Sequence, residues 1–169
     1  MSQWSMSSWL ISDTHLGHDN IIKYCERPEN HDFLIVDNWR NMVHPQQRIL
    51  HLGDLTVWFG MKKKTWESVV KDLPGKKSII LGNHDTDDPE HYEALGFRVL
   101  EPFTVRMGIT RIHFSHDPMM IKGDWDINIH GHLHNNDHRE LPNGDVVDWR
   151  RNVSIELTNY RPIHIGDAI

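Results

Sequence analysis

The histidines and carboxylates with chemical potential in this chain fall into short, separate blocks. Asp13 and His15 stand in "SDTHLGH", Asp54 in "LGDL", Asn83, His84 and Asp85 in "LGNHDT", His116 in "FSHDP", and His132 and His134 in "INIHGHLHNN". Imidazole, carboxylate and amide oxygen are donor types that hold divalent metals, and histidine is also the usual acid or base near neutral pH. The chemistry on offer is metal binding, proton transfer, or both. A single histidine is more often structural than a ligand, and the number of blocks reverses that expectation. The last block shows the limit of local reading. His130, His132 and His134 share one parity and would share one face of a strand, so spacing does not say which of them are ligands. The single cysteine, Cys25 in "IIKYCERP", has no local signature and reads as a plain core or surface residue. One cysteine excludes an internal disulfide and suits a reducing compartment.

The elements that must position these blocks can be read from the apolar runs. "WLISD" (9–13), "RILHLGD" (48–54), "KSIILGNHD" (77–85), "RIHFSH" (111–116) and "INIHGH" (127–132) read as strands, several buried on both faces. Helical spacing is seen over 30–43 (Ile35, Val36, Trp39, Met42, Val43) and over 61–73 (Trp66, Val69, Val70, Leu73), stopped by Pro74-Gly75. A short helix is expected over 87–96, closed by Gly96, and a hairpin over 104–112 turning at Met107-Gly108. The pattern is α/β, in one domain spanning 1–169. Each chemical block lies at the C-terminal end of an expected strand, where sites of α/β folds form. Asp13 and His15, like His132 and His134, are two apart and would point to one side of an extended chain. Gly53, Gly82 and Gly131 precede Asp54, Asn83 and His132, which lets the chain turn or approach closely there.

The ordered set D-T-H (13–15), G-D (53–54), G-N-H-D (82–85), H (116) and G-H-L-H (131–134) resembles the full signature of the calcineurin-like metallophosphoesterase superfamily. "SDTHLGH" and "SHDP" are similar to its small, cap-less bacterial and phage members. The resemblance implies a two-layer β-sandwich flanked by α-helices (α-β-β-α), with two metal ions at one edge. It implies one metal on Asp13, His15 and His134, a second on Asn83, His116 and His132, and Asp54 bridging both. His84 would be the non-ligand histidine facing substrate, oriented by Asp85, and His130 would not be a ligand. The donor set suits two divalent transition metals among Mn, Fe, Zn, Ni and Co without choosing between them; manganese is the expected metal, with Fe, Zn, Ni or Co as alternatives. Two dications set against Asp13, Asp54 and a bridging hydroxide leave about +1, which attracts phosphate. The implied reaction is phosphoester hydrolysis by in-line attack of that hydroxide, with His84 as general acid.

Composition narrows the rest. The chain has 169 residues, 14 histidines and a net charge of −6. The charge argues against non-specific binding along duplex nucleic acid, and Lys62-Lys63-Lys64 reads as a solvated helix face. No run reaches the roughly 18–20 apolar residues of a membrane span, and the first residues do not read as a signal peptide; the expected location is the cytoplasm of a bacterium or phage-infected host. His18, Trp58 and Arg139 are candidate substrate contacts, with Phe59 and His138 as neighbours of the same kind. Met119, Met120 and Trp125 would shape the pocket or a contact between copies. His31, His44, His51, His91, His113 and His164 read as ordinary surface or strand residues. The expected substrates are phosphodiesters such as cyclic nucleotides, or small monoesters. The alternatives are a nuclease acting on nucleic-acid ends and, in a different class, a non-catalytic interaction module, which predicts missing ligands. Oligomeric state is left open.

Overall fold

The computed structural model describes residues 4–57, 60–136 and 139–169. Trp58, Phe59 and His138 lie outside the described residues. The elements run β1 (Trp9–Ile11), α1 (Ile21–Cys25), α2 (His31–Met42), β2 (Arg48–His51), α3 (Gly60–Lys71), β3 (Lys76–Ile79), α4 (Pro89–Ala94), β4 (Arg98–Val99), β5 (Phe103–Met107), β6 (Thr110–Phe114), β7 (Ile127–His130), β8 (Arg150–Asn152) and β9 (Ile163–His164). They form two sheets, ordered β4-β3-β2-β1-β9 and β5-β6-β7-β8. In the first, β1 to β4 are parallel and β9 runs antiparallel to β1; in the second, β6, β7 and β8 are parallel and β5 is antiparallel.

Neighbouring residues of the central strands show how the layers are stacked. Trp9, Ile11, Ile49 and Ile79 enter one apolar cluster with Ile35, Val36 and Trp39 of α2, Val70 of α3 and Tyr92 of α4. Leu10, Leu50 and Ile80 enter the other, with Val105, Ile112, Phe114 and Ile129 of the second sheet. Successive side chains of a strand point to opposite faces, so the first sheet is covered by helices on one face and by the second sheet on the other. This is the expected sandwich with flanking helices. His113 points away from the interior of the sandwich, and Trp125 stacks on it at 5.8 Å, with Trp149 edge-on to Trp125 at 5.1 Å. No helix among the described residues is long and apolar enough to cross a membrane.

Two local expectations change. The hairpin pairs Met107 with Thr110, so its turn is Gly108-Ile109, one residue later than expected. Gly108 has φ +64, which a two-residue hairpin turn of the primed type needs. The strands are also shorter than the apolar runs: β1 stops at Ile11, β2 at His51, β3 at Ile79 and β7 at His130. Every residue of the chemical blocks therefore sits on a loop beyond a strand end.

Candidate metal centre

The loops bring the blocks together. Asp13, His15 and His134 present donor atoms within 4.8 Å of one another, and so do Asp54, His116 and His132. One Asp54 oxygen joins the groups, with Oδ2 3.4 Å from His15 Nε2 and 3.5 Å from His116 Nε2. Asn83 Oδ1 lies 3.1 Å from His116 Nε2 and 3.0 Å from His132 Nδ1. Asp13 and Asp54 are buried, as are His15 and His116.

The convergence is not the strand-parity effect expected from the i, i+2 spacing. Asp13, His15, Asp54, His132 and His134 all have φ between +45 and +70. L-residues rarely adopt this conformation, and it clusters at functional sites because the surroundings must hold it. Several hydrogen bonds do so here. Asp13 N–H donates to Gly53 O at 3.0 Å and His15 N–H to Asp54 O at 3.0 Å. His132 N–H donates to Asp13 Oδ1 at 2.9 Å, and His84 N–H to Asp54 Oδ1 at 2.9 Å. Asp85 accepts from Gly82 N–H at 2.8 Å, Asp54 N–H at 2.7 Å and Leu55 N–H at 3.1 Å. What it fixes directly is the loop carrying Asn83 and His84, latched to the loop carrying Asp54. A Cβ on Gly53 would stand 2.5 Å from His116 Nδ1 and 2.6 Å from Gly82 N, and one on Gly131 would press on Ser12 and Asp13. These glycines are sites of close approach.

The donor atoms fit metal ions. His116 Nδ1 is 2.7 Å from the carbonyl of Leu52. A carbonyl only accepts, so Nδ1 carries a proton, which turns Nε2 toward Asn83 Oδ1 and Asp54 Oδ2 as the nitrogen that could hold a metal. Several acceptors thus face one another. Both ring nitrogens of His15 are buried with no hydrogen-bond partner, which is costly unless something else satisfies them. Metal–ligand bonds of about 2.0–2.2 Å give ligand–ligand edges of about 3.0–3.5 Å in octahedral or tetrahedral shells. The separations within the second group and across the Asp54 bridge have that size.

Burial alone would raise the Asp54 carboxyl, but the neighbouring His15 and His116 imidazoles and the N–H of His84 hold it well below the usual range. Burial lowers His84, and His15, His116 and His132 lower it further against the pull of Asp54. The His84 ring is edge-on to His15 at 5.3 Å, beside the ligand groups, and the His18 ring is 5.9 Å from His15. Burial, with His15 and His84, lowers His18 as well. Arg139 lines a cavity of about 370 Å³ with Val146, Val147, Asp148 and Trp149. The third candidate contact, Trp58, is outside the described residues. His130 is fully buried, with Nδ1 2.8 Å from Gly131 O, and belongs to neither group. A cavity of about 470 Å³ opens beside the His132–His134 loop, lined by Pro118, Met120, Leu133, Leu141 and Arg150 among others.

Several surrounding residues had no place in the sequence reading. Glu156 Oε1 is 2.9 Å from His134 Nδ1 and accepts from Arg27 Nε at 2.8 Å. Ser154 Oγ donates to Asp13 Oδ2 at 2.9 Å, and Asn152 Nδ2 to His134 O at 2.8 Å. Cys25, Glu156 and His134 also hold donor atoms within 4.8 Å of one another. The readable signal is "NVSIE" (152–156), where polar residues alternate with Val153 and Ile155, which are 2% and 0% exposed. Asp117, 3.4 Å from His132 Nδ1, is a further carboxylate at the rim.

The chain is similar to several known proteins. An uncharacterized protein of Methanocaldococcus jannaschii is 35% identical over 161 residues, 93% of this chain and 86% of that protein. A gene 66 protein of Mycobacterium phage L5 is 26% identical over 88% of this chain and 90% of its own. A crystal structure of a protein of unknown function from Aquifex aeolicus superposes with a TM-score of 0.73, at 28% identity, covering 92% of this chain and 94% of that one. The crystal structure of Pseudomonas putida nuclease MPE shares the fold, with a TM-score of 0.51 and 17% identity over 77% and 67% of the two chains. No family model matches the chain. The chain belongs to one family with the Methanocaldococcus jannaschii protein, and it shares its fold with a nuclease of the metallophosphoesterase type.

Proposed function

We propose that this protein is a dinuclear-metal phosphohydrolase, acting as a single domain in the cytoplasm on phosphodiesters such as cyclic nucleotides or on small monoesters. The observation that carries the reading is the convergence on Asp54 Oδ2, 3.4 Å from His15 Nε2 and 3.5 Å from His116 Nε2. Asp13, His15 and His134 would hold one ion, Asn83, His116 and His132 the other, and Asp54 both. Manganese is the first choice, with Fe, Zn, Ni or Co as alternatives. Two such ions supply Lewis acidity toward phosphoryl oxygens and a nucleophile from water near neutral pH.

The chain's own groups do the rest. Asp54 and Asp13 bring the negative charge that lets two dications sit close together. His84 is anchored through its backbone N–H to Asp54 and its ring lies beside that of His15; in this reading it would give a proton to the leaving oxygen. Asp85 keeps that loop in place through three backbone amides. The cavity beside His132–His134 has room for the organic part of a substrate.

The test is hydrolysis of a panel, comparing aryl monoesters and diesters, 2′,3′- and 3′,5′-cyclic nucleotides and single-stranded nucleic acid, with each metal in turn. Metal-dependent turnover of diesters supports the reading, and turnover confined to nucleic-acid ends would favour a nuclease. Binding of two metals without turnover of any ester would favour the interaction module.

A further inference from the structure

The two ligand groups are not supported alike. Behind the first stands a buried, charged layer. Arg27, whose side chain is 0% exposed, pairs with Glu156 at 2.7 Å and donates to Thr14 O at 2.8 Å and Asp13 O at 2.6 Å. Glu156 accepts from His134 Nδ1, Ser154 from below fixes Asp13 Oδ2, and Asn152 fixes the His134 backbone. Behind the second group, His116 is held by the neutral carbonyl of Leu52. The carboxylate near His132 is Asp117, 71% exposed and 3.4 Å from Nδ1, the nitrogen that also faces Asn83 Oδ1 and His116 Nε2, so it does not stand behind the ring as the 5% exposed Glu156 stands behind His134.

A carboxylate on the outer nitrogen of a ligand histidine fixes its tautomer and raises its basicity. It does so most where water does not screen it, since exposed pairs contribute little. Arg27 makes the buried carboxylate tolerable by pairing with it. We propose that Asn152, Ser154, Glu156 and Arg27 are positioning residues that make the Asp13–His15–His134 position the tighter of the two, so that one ion is retained and the other exchanges. The inference rests on the reading of the site as a two-metal centre.

The test is calorimetric titration of the metal-free full-length protein with Mn²⁺, together with elemental analysis after gel filtration. The wild type is expected to bind in two resolved steps and to retain one equivalent. His15→Ala and Asn83→Ala identify which step belongs to which group. Glu156→Leu is expected to weaken the His15-dependent step about 10–100-fold and to leave the Asn83-dependent step unchanged. Glu156→Gln, which keeps an acceptor for His134, should recover part of the loss. Glu156→Leu leaves Arg27 buried without its partner and can fail to fold, so Ser154→Ala is measured beside it and should show a smaller loss on the same step. Equal weakening of both steps in a folded variant, loss on the Asn83-dependent step alone, or no loss in either variant would overturn the inference. Two wild-type ions of equal affinity would overturn it while leaving the two-metal reading intact. A wild-type chain that takes up no Mn²⁺ would remove that reading itself.

Discussion

Gly53→Ala tests whether the site depends on contact between its loops. A Cβ at this position would meet His116 Nδ1 at 2.5 Å, Gly82 N at 2.6 Å and Gly82 Cα at 2.8 Å. Ordinary contacts of a Cβ begin at 3.4 Å, so the backbone of Gly82 is 3.4 − 2.6 = 0.8 Å too close. Backbone cannot turn aside as a flexible side chain can, so the loops carrying Asp54 and Asn83 must move apart by most of that distance. Overpacking of this kind costs about 1–3 kcal/mol. The φ of +99 adds about 1–2 kcal/mol for a residue with a Cβ. The expected loss is therefore about 2–5 kcal/mol of stability. A displacement near 1 Å at a reacting centre can lower the rate about 10²-fold. Gly144→Ala is the control: its φ is +86 and no atom lies within 4 Å of its Cβ, so it carries the backbone strain without the crowding. The assay is urea denaturation alongside turnover of an aryl phosphodiester. If Gly53→Ala matches Gly144→Ala in both, loop contact does not set the geometry and the reasoning fails.

Further predictions concern single residues. His84→Ala should keep its metals and lose about 10²–10⁴ in kcat, whereas Asp54→Asn should lose metal and nearly all activity; elemental analysis and steady-state kinetics separate them. His130→Ala should bind both metals once folded, and loss of either ion by elemental analysis would reassign the three histidines. His51 accepts from Gly53 N–H at 3.1 Å and meets Thr14 Oγ1 at 3.0 Å, and burial, opposed by Asp54 and assisted by His116 and His15, lowers it from 6.5 to about 3. Between those values the unfolded chain binds a proton that the folded one does not. Stability is full above pH 6.5 and should fall by about 1.4 kcal/mol per unit as pH drops toward 3. In the metal-free protein, His51→Gln should shed about one proton from that slope; an unchanged slope in urea denaturation between pH 4 and 6 would refute it.

The blocks were legible because their chemistry is carried by residue type and each follows an apolar run. Ile11, His51, Ile79 and His130 end strands, and the blocks begin just beyond them. The way Asp13 pairs with His15, and His132 with His134, was not legible. Parity suggested two side chains on one strand face, but left-handed backbone at all four residues sets their directions, and hydrogen bonds from distant loops hold it. Arg27 and Glu156 are 129 positions apart, so neither shows its role in its own neighbourhood. Ser154 and Asn152 had a local signal in the alternation of "NVSIE", without a known partner to give it meaning. His51 read as an ordinary strand histidine, although its ring is buried between Thr14 and Gly53.

The central claim is that one carboxylate, Asp54, holds two ions together. The most direct measurement is metal content combined with electron paramagnetic resonance of the Mn²⁺-loaded protein. Two equivalents per chain with an exchange-coupled spectrum, as expected for ions about 3.5–4 Å apart, and loss of the coupling in Asp54→Asn, are the predicted result. One equivalent, or two ions with an uncoupled spectrum in the wild type, would contradict it.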